Sequence, residues 1–118
     1  MRAFHEWSGW ALIGVNAAAG AWALLAHRFP VVRGRALWGV VLVGQLLAFV
    51  SAFSGVALTA DDGVELDQFH ALYGFSTIIA VGILYSYRTS PFVRGKEHLL
   101  YGAGCLFIMG LGIRNLFL

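Results

Sequence analysis

Four stretches of this chain are each apolar for about the thickness of a bilayer, which leaves little choice of fold. They are residues 7–26, 37–58, 69–87 and 99–117, the last broken only by Arg114 and Asn115 near its end. Roughly 20 apolar residues carry a helix across the hydrocarbon core. In lipid each backbone amide needs a partner within its own segment, so runs of this kind are helices. The segments that join them, 29–36, 59–68 and 88–98, are short, and short connections make neighbouring helices antiparallel. The expected fold is an all-α, polytopic membrane protein with four transmembrane helices in an up-down-up-down bundle. Composition agrees: 12% of the 118 residues are charged, against about 25% in soluble domains. The first run is too long for the core of a removable signal peptide, and a single Arg precedes it.

The same landmarks occur twice, in the same order. Phe4-His5, three residues, Gly9 and Trp10 match Phe69-His70, three residues, Gly74 and Phe75. Pro30-Val31-Val32-Arg33-Gly34-Arg35 matches Pro91-Phe92-Val93-Arg94-Gly95-Lys96, and Trp38-Gly39 matches Tyr101-Gly102. A repeat of this kind dictates the architecture. The chain reads as one membrane domain, 1–118, built from two tandem helical hairpins, repeat one at 4–58 and repeat two at 69–118. Both copies insert the same way round, so a pseudo-twofold axis along the membrane normal is expected. His5 and His70 would then lie on one side of the membrane and could meet across that axis.

Charge separates sharply between the two ends. One end carries Arg2 and Arg114 against Glu6, Asp61, Asp62, Glu65 and Asp67; the other carries Arg28, Arg33, Arg35, Arg88, Arg94 and Lys96 against Glu97. Short cytoplasmic loops hold the Lys/Arg excess. This predicts that loops 29–36 and 88–98 are cytoplasmic and that both termini and loop 59–68 lie outside, most simply in a bacterial cytoplasmic membrane. Trp7, Trp10, Trp22, Trp38, Tyr85, Tyr87 and Tyr101 fall near run ends, as interfacial belts do. Arg114 is expected to snorkel to the outer interface. Basic residues confined to membrane-flanking loops argue against nucleic acid. Arg33, Arg35, Arg94 and Lys96 are expected to contact anionic lipid head groups or a partner protein.

Small and polar residues recur at steps of three and four: His5, Gly9, Leu12, Asn16, Gly20, Ala23 and His27 on the first helix, Gln45, Ala48, Ala52 and Gly55 on the second, and His70, Gly74, Thr77 and Val81 on the third. Helices in lipid associate through such stripes, which should face inward or toward a partner. Gly102, Gly104, Gly110 and Gly112 give the fourth helix close contact in more than one direction. The lone Cys105, within an apolar run, reads as packing.

Apart from His70 at the start of the third run, no Asp, Glu, Lys or His falls within the four runs, which weighs against an ion-coupled transporter. Asn16 and Gln45, at mid-depth, read as interhelical hydrogen-bonding groups, or as holders of a polar head such as a quinone carbonyl. His5 and His70 carry the sharper chemistry. Each has Gly9 or Gly74 one turn later on the same face, where a missing side chain leaves room for a flat macrocycle. Phe4, Trp10, Phe69, Tyr73 and Phe75 would line its edges. In this arrangement the pair resembles the axial ligands of small four-helix membrane cytochromes of the b type. The resemblance rests on the four-helix plan and the two F-H-x-x-x-G motifs, and implies haem b with His5 and His70 on the iron.

Two other readings stand beside it. The histidines could be interfacial anchors, copied by duplication. Alternatively, His5 and His70 could bind a surface zinc, copper or iron ion with Glu6, Asp67 and the acidic loop. Against that, Asp61-Asp62-Gly63 is an ordinary turn signal, and Asp67 can cap the third helix. His27 and His98 fall at non-equivalent positions and suggest no second cofactor. No nucleophile–base pair, phosphate loop or zinc-protease helix is present, so no self-contained catalytic activity is expected. Two functions follow as expectations. The first is a small non-catalytic membrane subunit packing through Gly-rich faces in a larger complex or homo-oligomer. The second is a b-type haem carrier exchanging electrons with a quinone or a redox partner.

Overall fold

The computed structural model describes residues 2–62, 65 and 67–117. It has four helices: α1 (Arg2–Arg28), α2 (Arg35–Asp62), α3 (Gln68–Tyr87) and α4 (Glu97–Leu116). No strand occurs among the described residues. All four helices are long and apolar enough to cross a membrane. The bundle measures 48 × 24 × 21 Å. Its long axis matches a bilayer of about 40–45 Å with its head groups.

The helices outrun the apolar stretches. α1 starts at Arg2 rather than at residue 7, and α2 runs from Arg35 to Asp62 rather than from 37 to 58. The apolar run marks only the hydrocarbon depth. Helix continues into the head-group layer, where polar side chains meet water. The turn expected at Asp61-Asp62-Gly63 is thus helical as far as Asp62; Gly63 and the side chains of Asp61 and Asp62 lie outside the described residues.

The helices form a square. α1 packs most closely on α4 and α2, α3 packs on α4, and the α2–α3 side is the most loosely packed. α1 and α3, which carry the two Phe-His motifs, therefore stand at opposite corners.

The α1–α4 side is held by reciprocal seating at two glycines. A Cβ on Gly20 would stand 2.7 Å from Leu106, and one on Gly102 would stand 2.6 Å from Leu24. Each glycine thus accepts a leucine from the facing helix, the close approach that small residues allow in lipid. Several glycines of the expected stripes are spent inside the bundle in this way.

Asn16, fully buried, donates through Nδ2 to Leu12 O at 2.9 Å and across to Gly44 O of α2 at 3.2 Å. The buried row on α1 is Ser8, Leu12, Asn16, Ala19, Gly20, Ala23 and Ala26, close to the expected stripe. On α2 the buried row includes Gly44 rather than Gln45, one position off. The reason is that Asn16 needs a neighbour without a side chain: a Cβ on Gly44 would stand 3.0 Å from Asn16 Oδ1. Cys105 is fully buried in the core.

At the opposite end from the Phe-His motifs, loop one folds back on α1. Arg33 Nε donates to Ala26 O at 2.6 Å and Nη2 to His27 O at 3.1 Å, satisfying two carbonyls at the end of α1. The Arg33 guanidinium thus caps a helix whose last carbonyls have no partners of their own, while the residue itself remains exposed. Trp22 Nε1 donates to Val32 O at 2.8 Å and pins the same loop.

Candidate two-histidine cavity

Asp67 starts α3: its carboxylate accepts from Phe69 N at 2.9 Å and His70 N at 3.2 Å. Free backbone amides at a helix start favour such a cap, and it fixes the turn that presents His70. His5 lies in the first turns of α1, with its ring against Gly55 of α2, where a Cβ would stand 3.0 Å from Cε1. Gly55 is thus the seat for the imidazole.

A hydrogen-bond relay then sets the His5 tautomer. Ser54 Oγ donates to Ser51 O at 2.9 Å. Its one proton being used, Ser54 Oγ accepts from His5 Nδ1 at 2.8 Å. With the Ser54–Ser51 bond kept, the tautomer that fits carries the His5 proton on Nδ1 and leaves Nε2 its lone pair. Anchoring one ring nitrogen while the other stays basic is how ligand histidines are oriented.

His5 and His70 meet across the bundle. Their ring centroids are 6.0 Å apart, with planes at 68°. A single metal atom between two imidazoles, at about 2.0–2.1 Å from each nitrogen, would put the ring centres roughly 6 Å apart. Both rings border a partly open cavity of about 330 Å³ lined by residues of all four helices, within the range of small-molecule and cofactor sites. Gly9 and Gly74 line it, as do Gly55 and Thr77. A Cβ on Gly9 would meet nothing within 4 Å, and one on Gly74 would meet only Asn115 Nδ2, at 3.7 Å. The motif glycines therefore border open space. Two convergent imidazoles could hold a metal atom here, and the motif glycines leave apolar space beside them.

Among the described residues, no group of three or more His, Cys, Asp or Glu side chains is placed to hold a metal ion. Glu6 borders the cavity but is exposed, and the Asp67 carboxylate is directed at backbone amides. Of the aromatics expected at the cavity edges, Phe75 borders it, whereas Phe4, Trp10 and Phe69 are 49%, 60% and 63% exposed. Helical residues are about 100° apart, so a Phe next to an inward His faces lipid.

Two residues outside the motifs join the site. One is Ser54. The other is Asn115 of α4, which lines the cavity and whose Oδ1 is sealed from solvent without a hydrogen-bond partner. Neither is conspicuous in sequence, since a Ser or Asn in an apolar helix reads equally as packing.

The remaining candidates are not brought to this site. The His98 ring lies 4.9 Å from that of Trp38 at the loop end of the bundle, near Tyr101, which is 5.4 Å from the same indole. His27 ends α1 beside the Arg33 cap. Arg35, Arg94 and Lys96 are exposed at that end. Comparison with protein family models, with characterised proteins and with solved structures finds no match to this chain.

Proposed function

We propose that this chain is a membrane-embedded electron carrier that holds a b-type haem between His5 and His70. The observation that carries the reading is the convergence of the two imidazoles, 6.0 Å apart, on a cavity bordered by both motif glycines. Haem bound there would supply one reversible electron per turnover. The protein's part is to present two neutral imidazole nitrogens, with His5 steadied by Ser54. Apolar walls around the cavity would exclude water, and Gly9 and Gly74 would leave the planar group its room. Positive-inside asymmetry would place the site near the outer face, with loops 29–36 and 88–98 cytoplasmic. A quinone or an outer redox protein is the partner such a position suits, and a bacterial cytoplasmic membrane is the natural setting.

A second reading concerns assembly. Gly14, Gly39, Gly82 and Gly110 are exposed, with open space where a Cβ would stand. A neighbouring helix could approach closely there, as in a non-catalytic subunit of a larger complex or a homo-oligomer.

Haem titration of the purified full chain in mild detergent tests the proposal. Wild type and His27→Ala should saturate at one haem per chain. His5→Ala and His70→Ala should each abolish six-coordinate binding while keeping wild-type helical content. Equal loss in all three variants would mean that folding, not ligation, was lost, and would overturn the assignment.

A further inference from the structure

We infer a binding site for an anionic phospholipid in the groove between α3 and α4, at the end where the basic loops lie. The groove has a volume of about 440 Å³ and lies apart from the two-histidine cavity. Its floor is Ala80, Leu84, Ala103 and Gly104, and its sides include Ile83 and Phe107, which are 51% and 60% exposed. These surfaces face the bilayer and are all hydrocarbon. They suit an acyl chain and offer nothing to a polar solute.

One charged side chain borders the groove. Lys96 stands at its loop end, exposed, with its ammonium 5.9 Å from the Phe92 ring. From Lys96 to Phe107 along α4 the groove extends about 16 Å at 1.5 Å per residue, a length suited to an acyl chain. The nearest acid, Glu97, accepts a hydrogen bond from Gly95 N at 3.1 Å through Oε1. The positive end of α4 adds to the same field. A cation at the head of a hydrocarbon slot matches a lipid whose phosphate carries the net charge.

The two hairpins differ at this point. In the first, Arg33 is bonded to Ala26 O and His27 O, and Trp22 holds the loop against α1. In the second, the matching Arg94 is exposed, and the loop turns through Gly95 at φ +81°, a left-handed conformation suited to glycine. Of the two matching arginines, Arg33 is thus bonded to a helix end, whereas the loop of Arg94 and Lys96 heads an open groove.

Native mass spectrometry of the full chain in mild detergent, titrated with phosphatidylglycerol or phosphatidylcholine of identical chains, tests this. Wild type should retain phosphatidylglycerol about five-fold better, the effect of one basic side chain at a membrane surface. Lys96→Gln should bring the ratio to about one; this side chain makes no cap hydrogen bond for α4. Ala103→Phe, at an exposed position, should weaken retention of both lipids by filling the floor. Glycerol phosphate without acyl chains should not displace the lipid. Equal retention of both lipids by wild type, an unchanged preference in Lys96→Gln, or full displacement by glycerol phosphate would overturn the assignment.

Discussion

At the scale of single residues, iron ligation by His5 requires one ring nitrogen to be free. Ser54 favours Nε2 in that role: with its own proton on Ser51 O, its oxygen accepts from Nδ1. Ser54→Ala removes that acceptor and lets the ring turn. Losing such an outer partner costs about 10–100-fold in affinity for a ligated metal group. We therefore expect the haem dissociation constant to rise by about that factor, with helical content unchanged. An unaltered affinity would show that Ser54 does not hold the ring. Both histidines were conspicuous in the sequence because they recur with a glycine one turn on. Ser54 was not, since its partner lies 49 positions away and spacing along one helix cannot reveal a contact across two. Asn115 was likewise hidden, named only as an interruption in an apolar run. The charge of Arg33 is visible in the sequence, whereas its bonds to the α1 carbonyls, formed only once the loop folds back, are not.

At the scale of elements, helix packing is set by where side chains are missing. A Cβ on Gly102 would meet Leu24 Cδ2 at 2.6 Å and Leu24 N at 3.0 Å, so backbone as well as side chain would have to move. Overpacking of this kind costs about 1–3 kcal/mol. Gly102→Ala should lower the thermal midpoint of the bundle in detergent. Gly82→Ala, where a Cβ meets nothing within 4 Å, should not lower it, because alanine also favours helix by about 1 kcal/mol. Equal effects from the two would remove the argument for glycine-seated leucines between α1 and α4. The stripes on α1 and α3 were legible from steps of three and four. The α2 row was misjudged by one residue, since the choice between Gly44 and Gln45 depends on the Asn16 side chain facing it. Helix ends were also misplaced, because apolar length reports bilayer thickness and says nothing about where a helix stops in the head-group layer.

At the scale of the whole molecule, four apolar runs and three short loops imply a bundle, and the repeated landmarks make α1 and α3 counterparts in sequence. In a square of four antiparallel helices these occupy opposite corners, so residues at matching heights face each other across the axis. That simple geometry brings His5 and His70 together. The cavity itself is not legible in the sequence, because it arises from the looser α2–α3 side and from Gly55, whose seating of His5 no motif announces. Function turns on the proposed haem site between His5 and His70. An absorption spectrum of the wild-type chain, purified in mild detergent from cells supplied with haem, tests it most directly when recorded before and after dithionite. The account predicts a Soret band that sharpens on reduction with resolved α and β bands. A colourless preparation would contradict it.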